Sequence, residues 1–341
     1  MPETKIGKKV VGDGHPTYVI LEIARTYASL EEAAKMIEIA AANSVDAIKI
    51  QSILASELMV KNDNTKDYVS MLEGLERSYE DHRFLKSKCD QFGIDFLSTP
   101  EGPTMANLLS ELGVDAYKVS SLNLIYSDLL NELASSGKPV IVSTGMGTSE
   151  EIEEAVELFQ SKPSDLILLH CSSLYPTAPE NANLNNISFL KKKYGNTVVG
   201  YSDHTVGPLA SIAAVSLGAN VIEKHFSLDR TQDGADHHVA VDEKMLTEMM
   251  VGIRSVEKML GFKKRELCKE ELDMRIFKRR KIIAALNMKK GEVVSDLSKI
   301  KMLQTKSRDG IEINKANSVL GRKLNKDVAA DHIFSWEDFD E

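Results

Sequence analysis

Apolar and polar positions follow two different periodicities along about the first three quarters of the chain. Eight short runs are rich in aliphatic and β-branched residues, which is typical of buried strands. Between them lie segments with apolar residues three or four positions apart, which predict helices. The predicted strands are 18–22, 47–51, 95–99, 116–120, 140–144, 166–170, 198–202 and 221–226. The predicted helices include 29–42, 79–92, 104–112, 149–160, 209–217 and 243–260.

Strands that alternate with helices predict parallel βα units. Eight such units favour a closed (β/α)8 barrel, the TIM barrel, and residues 1–261 match its usual length of about 250 residues. An open doubly wound sheet is the alternative, but no Gly-x-Gly-x-x-Gly motif follows the first strand. The last helix ends at Gly261, a residue type that commonly terminates helices.

The pattern changes after Gly261. Residues 262–278 are strongly charged and predict a linker or a connecting helix. Residues 279–341 contain short strand-like runs and turns, which predict a small β-rich domain. A domain of this size has a marginal core, so we expect it to dock on its own barrel or on a second subunit.

Composition narrows the classes of partner. The chain has 341 residues, 43% of them hydrophobic, and a formal net charge of −9 with both signs mixed along the sequence. This argues against nucleic acid as the main partner. Three scattered cysteines favour a reducing compartment over a disulfide framework. No signal-peptide core and no membrane-spanning apolar run is present, so we expect a cytoplasmic protein without a membrane partner.

Two histidines end the last two predicted strands. His204 and His225 each follow an oxygen-bearing residue two positions earlier, Ser202 and Glu223. Residues i and i+2 share one face of a strand, so both pairs point into the same cavity if the strands are neighbours. Neutral imidazoles bind divalent cations and leave positions open for water and substrate. Hydrogen-bonded core histidines are the alternative interpretation.

Polar groups also lie at the ends of the other predicted strands, where a TIM barrel carries its active site. Lys49 and Lys118, together with several hydroxyls, predict a site for a phosphate or a phosphate-carboxylate. For either lysine alone, a buried structural ion pair is the alternative. The polar strand-end positions are Glu22, Lys49, Gln51, Ser98, Thr99, Lys118, Ser120, Ser121, Ser143, Thr144, His170, Ser172, Ser173, Tyr175, Ser202, His204, Glu223 and His225.

These motifs, in this order and spacing, resemble the sialic acid synthases over nearly the full length of the chain. That family condenses phosphoenolpyruvate (PEP) with an N-acetylated hexose to give nonulosonic acids. The C-terminal segment resembles the family's antifreeze-like (SAF) domain. The matching motifs are Lys49-x-Gln51, 96–100, Tyr117-Lys118-Val119-x-Ser121, 143–146, His170-Cys171-x-Ser173-x-Tyr175-Pro176-Thr177, 201–205, 223–226, Gly234-x-Asp236-His237, 289–292 and 320–324.

The resemblance implies a role for each matching position. Glu22 and Glu223 would be the catalytic carboxylates. His204 and His225 would bind a divalent metal, Mn²⁺ first, with Mg²⁺ or Co²⁺ as alternatives. PEP would be bound by Lys49, Thr99, Lys118, Ser121, Ser143 and Ser202. The sugar would contact Gln51, Ser173, Tyr175, Asp236 and Arg308. The family also implies a domain-swapped homodimer, in which the antifreeze-like domain covers the partner's barrel.

Three segments depart from the family pattern. Residues 24–29 read Ala-Arg-Thr-Tyr-Ala-Ser, where the family has Gly-x-Asn-His-x-Gly. Leu122-Asn123 stands where a glycine and an acid are usual. Residues 306–310 stand where the family usually has Lys-Arg-Pro-Gly. The positively charged side chain that this domain of the family contributes to the sugar would then be either Lys306 or Arg308. The departures concern groups near the acceptor sugar and predict an unusual acceptor or a diverged activity.

Two other functions compete with a synthase. The barrel can carry an aldolase that forms a Schiff base on Lys118 or Lys49. The loss of the Asn-His pair also fits a sugar-binding or scaffold protein without catalysis.

Overall fold

The computed structural model describes residues 2–261 and 264–340. The chain forms two compact units that divide after Gly261. The first unit carries eight parallel strands among its described residues. These strands are β3 (Tyr18–Glu22), β4 (Ala47–Ser52), β5 (Asp95–Pro100), β6 (Tyr117–Val119), β7 (Val140–Ser143), β8 (Leu166–Cys171), β9 (Val198–Asp203) and β10 (Val221–His225).

The strand order is that of a barrel. It runs β5-β4-β3-β10-β9-β8-β7-β6, so that the first strand pairs with the last. β5 and β6, at the two ends of this order, lie side by side and bring the sheet round on itself. This arrangement confirms the predicted (β/α)8 barrel and sets aside the open doubly wound sheet.

Helices follow the strands and pack on their outer faces. Local sequence explains several of their ends. The Ser29 side chain caps α1, Thr148 forms a capping box with Glu151 at the start of α7, and Gly93 ends α4 at a φ of 73°. The helices are α1 (Leu30–Ala42), α2 (Ala55–Leu58), α3 (Lys66–Leu75), α4 (Tyr79–Phe92), α5 (Pro103–Leu112), α6 (Ser127–Ala134), α7 (Ser149–Gln160), α8 (Asn185–Lys193), α9 (Leu209–Ser216), α10 (Ala235–Val239) and α11 (Glu243–Leu260).

The inward-facing positions change character along each strand. In β3, Tyr18 and Ile20 belong to an apolar cluster inside the barrel, whereas Val19 and Leu21 pack against the helices. The next inward position is Glu22, which lines a cavity. In β10 the inward positions change in the same way, from Val221 to the cavity-lining Glu223. The barrel interior is therefore apolar at the amino ends of the strands and polar at their carboxyl ends.

A hairpin that the sequence patterns did not predict closes the apolar end. It consists of β1 (Glu3–Ile6) and β2 (Lys9–Gly12), which pair antiparallel. Ile6 and Val11 are fully buried in the apolar cluster inside the barrel. The Thr4 hydroxyl donates to Asp165 at 2.7 Å and Lys9 pairs with Asp46 at 2.7 Å. Asp46 and Asp165 directly precede β4 and β8, so the hairpin is attached to the bottom of the barrel.

The second unit has a small core of its own. Its antiparallel pair consists of β11 (Arg280–Ala284) and β12 (Ile300–Gln304), and further bridges join short extended segments. It also contains two α-helices, α12 (Lys269–Lys278) and α13 (Ala316–Val319), and three short 3-10 helices among its described residues. α12 lies within the segment expected to be a linker, and the remainder is rich in β-bridges, as expected.

No helix within 2–261 or 264–340 combines the length and the apolar character needed to cross a membrane.

The hairpin's role in the core gives a stability prediction. Ile6→Ala should lower the free energy of unfolding by about 2–4 kcal/mol, because it leaves a cavity at a fully buried position. Val10→Ala is the control in the same hairpin. Val10 is 40% exposed, so its loss should change stability by no more than about 0.5 kcal/mol. Urea denaturation measures both variants, and equal effects would contradict a sealing role for the hairpin.

Candidate active site

A cavity of about 590 Å³ opens at the carboxyl ends of the barrel strands. Every residue of the first unit to which the family resemblance assigns a role lines it, and Arg308 lies in the second unit. The candidates that line the cavity are Glu22, Lys49, Gln51, Thr99, Lys118, Ser121, Ser143, Ser173, Tyr175, Ser202, His204, Glu223, His225 and Asp236. Positions more than 200 residues apart in the chain therefore meet in one site, because parallel strands end at one rim of the barrel.

Three buried charges form the centre of the site. The Lys49 ammonium donates to Glu22 and, at 3.2 Å, to the Thr99 hydroxyl. Its distance to the nearer Glu223 oxygen is 3.8 Å. Glu22 also accepts a hydrogen bond from the backbone N–H of Ala24 at 2.5 Å. One lysine therefore lies between two carboxylates.

Lys118 extends this network. Its ammonium donates to the Ser143 hydroxyl at 2.7 Å and to the Val119 carbonyl at 2.9 Å. Glu223 lies 3.8 Å from it and accepts a hydrogen bond from Ser202 at 2.8 Å. Buried charges are tolerated when they are paired and hydrogen-bonded. Both lysines thus form buried ion pairs, which was the alternative predicted for either of them. These pairs nevertheless line the cavity.

Burial and charge pull the pKa values of the two carboxylates apart. Burial raises the pKa of Glu22, and Lys49 only partly offsets this effect. The pKa of Glu223 is lowered, because Lys118 and Lys49 together outweigh the effect of its burial. The two carboxylates also outweigh burial at Lys49 and raise its pKa. Glu22 is therefore the carboxylate that takes up a proton more easily, which suits an acid–base group.

The two histidine rings lie side by side, with centroids 5.4 Å apart. The Nδ1 atom of His204 lies 2.8 Å from the Ser172 carbonyl, to which it donates. This contact fixes the proton on Nδ1 and leaves the lone pair of Nε2 free. The Nδ1 atom of His225 is buried and has no hydrogen-bond partner, while the nearest Asp236 oxygen lies 3.8 Å away.

The two rings have the chemistry of metal ligands. Burial lowers the pKa of His204 and holds that of His225 well below its usual range, so both imidazoles are neutral. A neutral imidazole with an unshared nitrogen is a common ligand for divalent cations. Within 2–261 and 264–340, no group of three or more His, Cys, Asp or Glu side chains is arranged to hold a metal. Two neutral imidazoles side by side nevertheless have the donor atoms to hold a divalent cation.

Tyr175 covers the histidines at the open end of the cavity. Its ring lies 4.0 Å from that of His204 and 5.8 Å from that of His225, measured between centroids. It remains 43% exposed.

Two residues next to the histidines in sequence, Asp203 and Lys224, contact each other instead of lining the cavity. Asp203 and Lys224 form a buried pair at 3.1 Å, and Asp203 also accepts from the backbone N–H of Thr205. Asp203 therefore caps the loop that follows β9.

The altered segment 25–27 contributes one residue to the cavity. Arg25 lines it, has a φ of 60°, and its buried Nε has no hydrogen-bond partner. Thr26 instead donates to the carbonyls of Ile23 and Phe226, and the Tyr27 ring stacks on Arg77. Of the three residues, Arg25 alone lines the cavity, whereas the contacts of Thr26 and Tyr27 are with the protein itself.

Sequence reasoning missed one charged residue in the wall. Glu101 follows β5 directly, is 7% exposed and lines the cavity. It stands beyond Pro100, in what looks like an ordinary turn, so no strand-end pattern pointed to it. His170, one of the polar strand-end positions, is also buried, with Nε2 2.8 Å from the Ala182 carbonyl, and does not line the cavity.

Comparisons with known proteins place the chain among sugar-acid synthases. The model of the NeuB family matches residues 36–265. Pseudaminic acid synthase of Campylobacter jejuni is 34% identical over 336 residues, covering 94% of this chain and 96% of that one. An uncharacterised protein of Methanocaldococcus jannaschii is 39% identical over 341 residues, 99% of each chain. The crystal structure of N-acetylneuraminic acid synthetase from Leptospira borgpetersenii with citrate superposes with a TM-score of 0.75 at 35% identity, over 80% of this chain and 96% of that one.

The buried pair of Glu22 and Lys49 gives a second stability prediction. Glu22→Gln should cost about 3 kcal/mol of folding free energy, because it leaves a buried ammonium without its direct partner. The double variant Glu22→Gln, Lys49→Met should lose much less than the sum of the two single variants. Urea denaturation gives the coupling energy. The exposed pair of Lys61 and Glu73, at 2.8 Å, is the control and should couple by less than about 1 kcal/mol. Equal coupling in the two pairs would refute the energetic role assigned to the buried one.

Proposed function

The chain belongs to the NeuB family, and from this membership we propose that it is a synthase that condenses PEP with an N-acylated hexose. The products would be a nonulosonic acid and inorganic phosphate. The observation that carries the proposal is the convergence of lysines, hydroxyls, carboxylates and two histidines in one cavity. Lysines and hydroxyls suit the two anionic groups of PEP, and the remaining wall suits a polar sugar.

In this proposal PEP lies over Lys49 and Lys118. The two ammonium groups bind its phosphate and carboxylate, and hydroxyls give the hydrogen bonds that fix its orientation. These hydroxyls belong to Thr99, Ser121, Ser143 and Ser202. Ser121 is already positioned, because its oxygen accepts from the backbone N–H of Gly145 at 3.0 Å. The site thus binds PEP with groups that are largely preorganised.

The condensation forms one carbon–carbon bond, and at carbon 2 a carbon–oxygen bond to water replaces the one to phosphate. Carbon 3 of PEP attacks the aldehyde of the open-chain sugar, whose oxygen takes up a proton. Carbon 2 becomes an oxocarbenium-like centre, to which water adds with loss of a proton. The tetrahedral intermediate then releases phosphate from carbon 2. Glu22 is our candidate for the group that positions and deprotonates this water, since burial raises its pKa towards neutrality. Glu223, held by Ser202 and the lysines, would stabilise the positive centre.

A divalent cation would be held by His204 and His225, with Mn²⁺ as the first candidate and Mg²⁺ or Co²⁺ as alternatives. When bound, it supplies Lewis acidity for a carbonyl oxygen. The chain's own contribution is orientation. Ser172 fixes the tautomer of His204, and the ring of Tyr175 limits the space in front of both imidazoles.

The acceptor sugar would lie towards the mouth of the cavity. The residues that we propose contact it are Gln51, Ser173, Tyr175, Asp236 and Arg25, all of which line the cavity. The buried Nε of Arg25 has no hydrogen-bond partner in the described residues, so this donor is available to a polar acceptor group. N-Acetylmannosamine and a 2,4-diacetamido trideoxyhexose are the acceptors that we propose to test first.

We also propose that the second unit is an antifreeze-like domain and that two chains form a swapped homodimer. The support is the β-rich fold and the motifs at 289–292 and 320–324. In this proposal Arg308 or Lys306 contributes a cation to the sugar in the partner subunit's barrel. The Arg308 guanidinium stacks on the ring of Phe277, 5.8 Å from its centroid, within its own unit.

One observation favours a second candidate function, a Schiff-base aldolase. Burial lowers the pKa of Lys118, which favours the neutral amine that such chemistry needs. Borohydride reduction in the presence of pyruvate separates the two functions. An aldolase would be trapped as a covalent adduct on Lys118, whereas the proposed synthase forms no imine and should give none.

The direct test of the synthase is phosphate release. Purified protein with Mn²⁺ and PEP should release phosphate when one of the panel sugars is added, and PEP with Mn²⁺ should raise its melting temperature. A related synthase assayed under the same conditions is the positive control. If that enzyme turns over and this protein releases no phosphate with any sugar, the proposed function is wrong.

The histidines give a prediction that does not depend on turnover. His204→Ala and His225→Ala should each reduce Mn²⁺ binding by about 100-fold or more in calorimetric titrations, because each removes one of two side-chain ligands. His238→Ala is the matched control. His238 is exposed on the neighbouring α10, so its loss should leave binding unchanged. Full Mn²⁺ binding by the double variant His204→Ala, His225→Ala would show that the metal assignment is wrong.

A further inference from the structure

Glu101 is a buried carboxylate in the cavity wall that the mechanism above does not use. Its backbone N–H donates to the Ser52 carbonyl at 3.0 Å, which anchors the residue at the rim of the barrel. Its Oε2 atom accepts from the amide of Asn123 at 2.8 Å and from the hydroxyl of Ser120 at 3.2 Å. Asn123 is itself 6% exposed. The carboxylate is therefore held in a fixed orientation by a neighbouring strand-end segment.

The environment of Glu101 lacks the ion pair that a buried carboxylate usually has. Both of its hydrogen-bond donors are neutral, and burial raises its pKa. Lys49 and Lys118 influence it through their charge, yet neither forms an ion pair with it within 4.0 Å among the described residues. These lysines pair with Glu22 and Glu223 instead. A buried carboxylate without a counter-ion costs free energy, so it needs a purpose other than stability.

The second carboxylate oxygen indicates that purpose. In the part of the chain that the structure describes, both hydrogen bonds to the carboxylate go to Oε2, and none goes to Oε1. An oxygen of this kind, held rigidly in the wall of a cavity, accepts a hydrogen bond from whatever occupies the cavity. PEP offers no donor when its phosphate and carboxylate are ionised. Of the two substrates, only the sugar therefore offers a donor to this oxygen.

We propose that Glu101 is a specificity-determining residue that accepts a hydrogen bond from a hydroxyl of the acceptor sugar, with Ser120 and Asn123 as its positioning residues. The inference rests on the proposed synthase function and names one group that its acceptor must carry. A hydroxyl fits better than an ammonium group, because Lys49 and Lys118 would repel a third cation. Sites built to bind a hydroxyl reject analogues that lack it, since their own polar group is then left unpaired.

The test compares Glu101→Gln with the wild-type enzyme in steady-state kinetics. The assay uses whichever of N-acetylmannosamine and the 2,4-diacetamido trideoxyhexose supports phosphate release, together with monodeoxy analogues of that sugar. The variant should lose about 10- to 100-fold in kcat/KM for the sugar, because an ionised acceptor binds a hydroxyl more strongly than an amide oxygen does. Its KM for PEP should stay the same or fall, because a negative charge near both lysines has been removed.

A loss for the sugar without a loss for PEP distinguishes sugar binding by Glu101 from a structural role of this residue. A variant that only destabilises the fold should impair the kinetics with PEP and with the sugar to a similar extent, and it should lower the melting temperature. Asn123→Ala removes the positioning amide and should reproduce the sugar defect in weaker form. Glu111→Gln, an exposed carboxylate on the nearby α5, is the matched control and should change nothing.

Three outcomes decide the inference. A loss confined to the sugar, with reduced discrimination against one monodeoxy analogue, supports it. Unchanged sugar kinetics in Glu101→Gln, or a parallel loss for PEP and sugar, overturns it and leaves the synthase proposal intact. If the wild-type enzyme releases no phosphate with any sugar, the proposed function fails, and this inference fails with it.

Discussion

Four buried charges inside the barrel constrain the rest of the structure. Glu22, Lys49, Glu223 and Lys118 are each at most 6% exposed, and removing such groups from water costs free energy unless they pair. Pairing requires that the carboxyl ends of three strands, β3, β4 and β10, lie at the same level along the barrel axis. The fourth charge, Lys118, comes from β6. The parallel register provides this, since Glu22 lies opposite Lys49 and also opposite His225. In the same strands, the inward-facing positions nearer the amino ends are apolar and form the floor of the barrel.

Much of this could be predicted from the sequence, because a period of two residues decides which side chains point inward. The strand patterns placed β3 at its observed bounds and the other seven barrel strands within a residue or so. Once strand ends are known, lysines, hydroxyls and histidines at those ends must share one rim. The chemistry of the candidate site thus followed from local pattern and one topological rule, without any contact being known in advance.

The parts that could not be predicted depend on contacts between distant residues. The hairpin β1–β2 is only four residues per strand, and its buried face becomes apparent only against the barrel floor. Arg25, Thr26 and Tyr27 are adjacent in sequence, yet Arg25 alone lines the cavity. The hydroxyl of Thr26 instead donates to the carbonyl of Phe226, the residue that directly follows β10. Glu101 looks like a turn residue until the Asn123 amide, 22 positions later, is seen to hold it. Strand periodicity carries no information on such pairs.

The hairpin that closes the barrel floor also determines when the protein can finish folding. It precedes every barrel strand in the sequence, but the apolar cluster that it joins includes Val221 on the last barrel strand. About 215 positions separate Ile6 from Val221, so the nascent hairpin has nothing complete to cover while most of the chain is being made. Contacts of such long sequence separation slow folding and leave apolar surface exposed in the meantime. The apolar face of the hairpin therefore has its full set of partners only once β10, the eighth barrel strand, is in place.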